Sequence, residues 1–132
     1  MKIEKFEDLE IWKEARELSK WVFEITSVGN VHNDFRFRDQ IRAAAGSIMD
    51  NFAEGFERDG NREFIQFLSI AKGSRAETRS QSYRAFDNKY VNQGTLDQLV
   101  LKTTQLSKQI SSLISYLKNS EYKGSKFREP QP

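Results

Sequence analysis

Cysteine is absent from the 132 residues, so disulfides and thiolate metal sites are excluded. The single histidine, His32, lies in a polar stretch, which leaves zinc, haem and Ser-His chemistry without the imidazoles they use. The only two prolines are Pro130 and Pro132, at the extreme C-terminus, so nothing before them interrupts a helix by ring closure. No apolar run approaches the roughly 20 residues that cross a bilayer. The opening Met-Lys-Ile-Glu-Lys-Phe-Glu-Asp has no signal-peptide apolar region, and a cytoplasmic protein is expected. Neither a phosphate-cradling loop nor a nucleophile–base pair is present, so the expectation is a non-enzyme with no catalytic residue, cofactor or metal.

What the chain has instead is charge, 30% of residues, on long periodic segments. Net charge is only +2, but it is unevenly spread. Residues 1–33 carry five basic and seven acidic groups, whereas 94–132 carry six basic and three acidic. Between 72 and 89, Lys72, Arg75, Arg79, Arg84 and Lys89 face only Glu77 and Asp87.

Four amphipathic helices are expected. The first runs from Phe6 or Asp8 to Val28, with Ile11, Ala15, Leu18, Val22 and Ile25 on one face, and ends at Gly29-Asn30. The second starts at an Asn33 or Asp34 cap and reaches Glu57. It lays two stripes side by side: apolar Ile41, Ala45, Ile48 and Phe52, then small and polar Gln40, Ala44, Ser47, Asn51 and Glu54 or Gly55. A helix carrying both must be wedged between neighbours, because small side chains admit a close backbone and covered polar ones need partners. The third begins at Asp59-Gly60-Asn61, capped by Asp59 or Asn61, carries Phe64, Phe67, Leu68, Ala71, Ser74, Thr78, Ala85 and Phe86, and closes at Asn92-Gln93-Gly94. The fourth opens on a Thr95/Gln98 capping box and follows a heptad seam, Leu96, Leu99, Thr103, Leu106, Ile110, Leu113 and Leu117. Short connections make sequential helices antiparallel, giving an all-α, up-down-up-down four-helix bundle over 1–119. Residues 120–132 lose periodicity and read as an extended or disordered tail.

Several motifs carry a family resemblance: Phe6-Glu-Asp-Leu-Glu-Ile-Trp12, Gln40-Ile-Arg-Ala-Ala-Ala-Gly-Ser-Ile48 with Asn51-Phe-Ala-Glu-Gly55, Glu63-Phe-Ile-Gln-Phe-Leu68 and Ala71-Lys-Gly-Ser-Arg-Ala-Glu77. In this order the chain resembles, over about residues 6–118, the four-helix-bundle proteins encoded in intervening sequences of bacterial 23S ribosomal RNA genes. It is similar also to the accessory variability proteins of diversity-generating retroelements. The resemblance implies a homopentameric ring, with RNA or DNA as a partner met through a basic surface.

The residues themselves offer three candidate features. Gln40, Asn51, Glu54, Ser74 and Glu77 are expected to form a polar cluster stitching the second helix to the third, since a lone histidine cannot complete a carboxylate di-metal site. Lys72, Arg75 and Arg79 share a helix face, and Arg36, Arg38 and Arg42 form a second cluster. Both would meet phosphates, with Tyr83 nearby, unless Asp39, Asp50 or Glu57 neutralise them at the surface. Trp12, Trp21, Phe52, Phe56, Phe64 and Phe67 read as core, whereas Phe23, Phe35 and Phe37 fall off the main stripes and suit a subunit interface. Two functions follow: a homo-oligomeric nucleic-acid-binding accessory or scaffold, or a module that docks a protein partner on its ring or tail.

Overall fold

The architecture follows from where each helix can begin and end, seen in a computed structural model that describes residues 2–120 and 127–128. A 3-10 turn at Phe6–Asp8 leads into α1 (Glu10–Ile25), and a second at Asn30–Asn33 leads into α2 (Phe35–Phe56), followed by α3 (Asn61–Asp87) and α4 (Gln93–Lys118). Lys2–Ile3 forms β1, paired antiparallel with β2, Phe127–Arg128. The rest of the expected tail lies outside the described residues.

Four helix ends differ from expectation, each for a local reason. The first helix starts at Glu10 rather than Phe6 or Asp8, because Leu9, fully buried, is extended at φ −70° and ψ 126° and separates it from the 3-10 turn. It stops at Ile25 rather than Val28: the Ser27 amide steps to the Glu24 carbonyl at 3.2 Å, and the chain turns away at Gly29, φ 70°. The Thr26 hydroxyl donates to the Val22 and Phe23 carbonyls and the Ser27 hydroxyl to that of Phe23, so the last carbonyls are satisfied by side chains. Helix α3 ends at Asp87, not Asn92. There the Tyr90 amide donates to the Ala85 carbonyl at 2.8 Å and the Lys89 amide to Phe86 at 2.9 Å. This is a Schellman closure whose left-handed position, φ 63°, is held by Lys89 instead of glycine. The fourth helix begins at Gln93, capped by Asn92, whose Oδ1 accepts from the Thr95 amide at 2.8 Å. Asn92 takes the N-cap role expected of Thr95.

Caps elsewhere tie helices together. Asp34, an expected N-cap of α2, accepts from the Phe37 amide at 3.3 Å. For α3 the N-cap is Gly60, at φ 91°, rather than either side chain expected there. The Asn61 amide is thereby left free to donate to the Leu117 carbonyl at the far end of α4.

Contacts between helices give the directions. Asp34 meets Tyr90, Ser47 meets Ser74 and Gly55 meets Phe67, so α2 and α3 are antiparallel. Arg42 meets Thr26 and Gly46 faces Ser19, so α1 and α2 are too. Asn61 with Leu117 and Lys72 with Ser111 set α3 against α4 the same way. The α2–α3 seam is the most extensive and α1–α4 the slightest. Along α2–α3, Ala44, Ala45 and Gly55 are buried. A Cβ at Gly55 would stand 2.7 Å from Phe67 Cβ and 3.0 Å from Phe64 Cδ1, so the glycine exists for helix approach and not for flexibility.

The core is what the periodicities predict for α1, α2 and α4. Ile11, Ala15, Leu18 and Val22 are buried from α1, Ile41, Ala45, Ile48 and Phe52 from α2, and all seven heptad residues from α4. Phe52, Phe56 and Phe64 lie in the core, with Phe56 and Phe64 packed edge to face at 6.1 Å, while Trp12 and Trp21 pack on its margin. Buried aromatics of this kind supply much of a small bundle's hydrophobic stabilisation. Helix α3 departs from the expected stripe. Its buried line is Phe64, Leu68, Ala71, Arg75, Thr78, Ser82 and Ala85, an arginine standing where an apolar residue would fit.

Candidate functional site

The expected polar cluster is divided by the fold. Asn51 Nδ2 donates to the Ser47 carbonyl at 2.8 Å and to Ser47 Oγ at 3.0 Å, and Ser74 Oγ donates to the same Ser47 Oγ at 3.0 Å. Asn51 and Ser74 therefore meet through Ser47, a residue read from sequence only as part of a small stripe. Gln40, Glu54 and Glu77 are exposed. Glu54 faces Arg58 at 3.4 Å, just past the end of α2, and Glu77 accepts from Gln81 at 3.3 Å one turn along α3. These three residues do not join the α2–α3 stitch, because their positions lie past the edge of the buried stripe. Among the described residues no group of three or more His, Asp or Glu side chains is placed to hold a metal ion.

The α3–α4 face is cationic. Lys72 is exposed and donates to Ser111 Oγ on α4 at 3.3 Å. Arg75, one turn on, is only 9% exposed; its Nε is buried with no hydrogen-bond partner, and no carboxylate pairs with it among the described residues. Burial, and then the neighbouring Arg79 cation, push its pKa below the usual guanidinium value, though a guanidinium stays charged at any working pH. The Arg75 side chain therefore lies in the core seam, close enough to Arg79 to feel its charge. Helix α4 opposes this charge with nothing: after Asp97 it carries no acidic residue through Lys118.

The second cationic group sits at the α1–α2 corner and is held differently. Arg38 pairs with Asp39 at 3.1 Å, donates to the His32 carbonyl at 3.1 Å and lies 4.9 Å over the Phe35 ring. Arg42 donates to Thr26 Oγ1 at 2.8 Å and Ser27 Oγ at 3.1 Å, with its guanidinium 4.1 Å over Phe23. Arg36 is exposed. Of the three acids expected to neutralise the arginines, only Asp39 does so here. Phe23 and Phe35 are exposed, but Phe37, expected with them, is buried. It packs 5.6 Å from the Tyr90 ring with Arg84 at 5.3 Å on its face, because it stands four residues before Ile41 and so on the apolar stripe of α2, about 200° round the helix from Phe35. The stacking of Arg42 on Phe23 joins two helices and was beyond reach of a single sequence, whereas Phe35 and Arg38 are three residues apart on α2 and meet by local spacing.

A shallow groove between α1 and α4 is lined by Lys13, Glu14, Glu17, Lys102 and Leu106. It offers charge of both signs and no nucleophile–base pair. No helix among the described residues is long and apolar enough to cross a membrane.

Taken together, these elements define an all-α four-helix bundle with cationic surfaces on two sides and no catalytic constellation among the described residues. Residues 7–112 match the family model described as 23S rRNA-intervening sequence protein, and the chain belongs to that family. Among solved structures it is similar to a protein of unknown function from the S23 ribosomal protein family of Bacteroides thetaiotaomicron. The two are 20% identical, the alignment covers 80% of this chain and 95% of that one, and the TM-score is 0.73. At that identity the likeness concerns the fold. No curated protein matches the chain.

Proposed function

We propose that this protein is a non-enzymatic, homo-oligomeric bundle that binds nucleic acid as a cytoplasmic accessory or scaffold protein. One observation carries the reading: Arg75 occupies a core seam position at the cost of a buried, unpartnered Nε, one turn from Lys72 and within reach of the Arg79 charge, on a helix packed against an acid-free stretch of α4. Replacing a buried unpaired charge by a hydrophobe usually stabilises a fold, so its use here is accounted for by a ligand that supplies negative charge. Phosphate is the partner that guanidinium and ammonium groups, flanked by the Ser111 hydroxyl, suit. The resemblance to pentameric relatives adds that five copies of Lys72, Arg75 and Arg79 would ring one axis, concentrating a field that the chain's net charge of +2 conceals.

The test is binding of the full chain to a structured RNA and a DNA duplex across a salt series, with native mass recorded in the same buffers. Tight binding by a multi-copy species, weakening steeply with salt, is the expected result, because each neutralised phosphate releases counterions. Lys72→Glu and Arg79→Glu, at positions outside the core, each reduce the log–log salt slope by about one for every phosphate they leave unneutralised. An assembly that binds neither ligand at low salt overturns the proposal and leaves the cations to a protein partner.

A further inference from the structure

At the α1–α2 corner three large apolar side chains stand in solvent, Phe23 at 56% exposure, Val28 at 66% and Phe35 at 62%. Elsewhere such exposure is scattered singly, as at Ile70 and Leu101, which is ordinary for a protein surface. Here it is concentrated, and the two rings are furnished in the same way. Arg42 lies 4.1 Å over Phe23 and Arg38 lies 4.9 Å over Phe35. Both guanidiniums are fixed by hydrogen bonds to other groups, Arg42 by Thr26 and Ser27, Arg38 by Asp39 and the His32 carbonyl. Phe35 and Arg42 are seven residues apart and so lie on one face of α2, which makes the two assemblies parts of a single surface.

We propose that this corner binds unpaired nucleotides of a single-stranded nucleic acid, with bases stacking on Phe35 and Phe23; the inference rests on the nucleic-acid reading above and adds the form of the ligand. A fixed arginine covers one side of each phenylalanine and leaves the ring open on the other, so an incoming base meets a ring whose position is already set and loses little side-chain entropy. Base–aromatic stacking beside arginine is the sequence-tolerant mode of single-strand binding. Charge at the corner fits the same ligand. Arg36 and Arg42 pair with no carboxylate among the described residues, Asp39 is engaged by Arg38, and Asp34 is engaged by Tyr90 and by the α2 cap. Only Glu24, exposed beside Phe23, stands against the arginines without an assigned partner. A base-paired duplex keeps its bases stacked inside and offers these rings nothing, whereas the α3–α4 cations serve duplex and single strand alike.

The experiment compares a fluorescein-labelled, 20-nucleotide oligo(dT) or oligo(U) with a duplex of equal length, by anisotropy, on the full chain and its Phe35→Ala, Phe35→Trp and Phe23→Ala variants. Native mass is recorded for each. All three substitutions fall on exposed positions, so the fold is retained. The alanine variants are expected to bind the single strand roughly tenfold more weakly, about 1.4 kcal/mol for one stacked base, and the duplex unchanged. The tryptophan variant is expected to bind the single strand at least as well as the parent. Equal loss on both ligands, or no loss on the single strand while duplex binding persists, overturns the stacking site and leaves the nucleic-acid reading standing. A drop in native mass with Phe35→Ala overturns it in favour of a contact between copies of the chain. Absence of binding to either ligand by the parent overturns both.

Discussion

The Tyr90 hydroxyl donates to Asp34 Oδ2 at 2.6 Å, and the other oxygen of that carboxylate accepts the Phe37 amide at 3.3 Å. One side chain therefore caps α2 and fastens the α3–α4 corner to it. The Schellman closure after α3 is what delivers Tyr90 to that position, and Phe37 packs against the same ring. The hydrogen bond from Tyr90, and then that from the Phe37 amide, hold the Asp34 carboxyl below the usual carboxylate range; the same bond, first among its causes, raises the Tyr90 phenol.

The pH dependence of this tie has two limbs. Because the Asp34 pKa is depressed on folding, its contribution is complete above the unfolded value of about 3.9 and is lost as pH falls through the lower folded one. Because the Tyr90 pKa is raised, its contribution is complete below about 10 and is lost as pH climbs through the higher folded one. Tyr90→Phe should therefore lower the melting temperature at neutral pH, by an amount that shrinks progressively as pH falls below about 3.9. Thermal melts of parent and variant across pH check this, and a difference independent of pH would assign the loss to packing alone.

Lys89 holds the left-handed position of the same closure at φ 63°, where a Cβ is strained. Lys89→Gly should stabilise the bundle by about 1 kcal/mol, the strain relieved exceeding the extra backbone entropy glycine brings to the unfolded chain. Urea denaturation would show a higher midpoint with an unchanged slope.

Gly55 should tolerate no side chain. Gly55→Ala sets a methyl 2.7 Å from Phe67 Cβ on the neighbouring helix, and the α2–α3 seam must open to admit it, at a cost of about 1–3 kcal/mol. The gain in helix propensity from the same change is about 1 kcal/mol at most. A lower urea midpoint is expected, and a higher one would mean that the helices move apart freely.

Arg75→Met separates the two roles of the buried arginine. Methionine fills the seam without a buried Nε, so stability should stay level or rise, while affinity for a DNA duplex falls about tenfold with the loss of one charged hydrogen-bonding group. Paired denaturation and anisotropy measurements test this. A marked loss of stability would instead assign Arg75 a structural task in the core.

Much of this protein was legible in the chain before any tertiary contact was considered. The heptad seam of α4, the apolar faces of α1 and α2 and the breaks near Gly29 and Gly60 follow from periodicity and backbone chemistry, which act within a few residues. So does the cap at Asp34, whose acceptor needs only the next turn of its own helix. Tertiary structure decided what depends on a neighbour's distance. Thr26 and Ser27, at the end of α1, became the seat of Arg42, which reaches them from α2. Glu54 and Glu77 sit one helical step beyond the buried stripe, and a step of about 100° separates core from solvent only once the facing helix is in place. Phe37, four residues before Ile41, shares the apolar stripe of α2 and was open to a reading from periodicity, whereas Arg75 became a core residue only because the packed helices cover it. Local spacing specified which residues share a face; only the packed bundle determined which of those faces stayed open to a ligand.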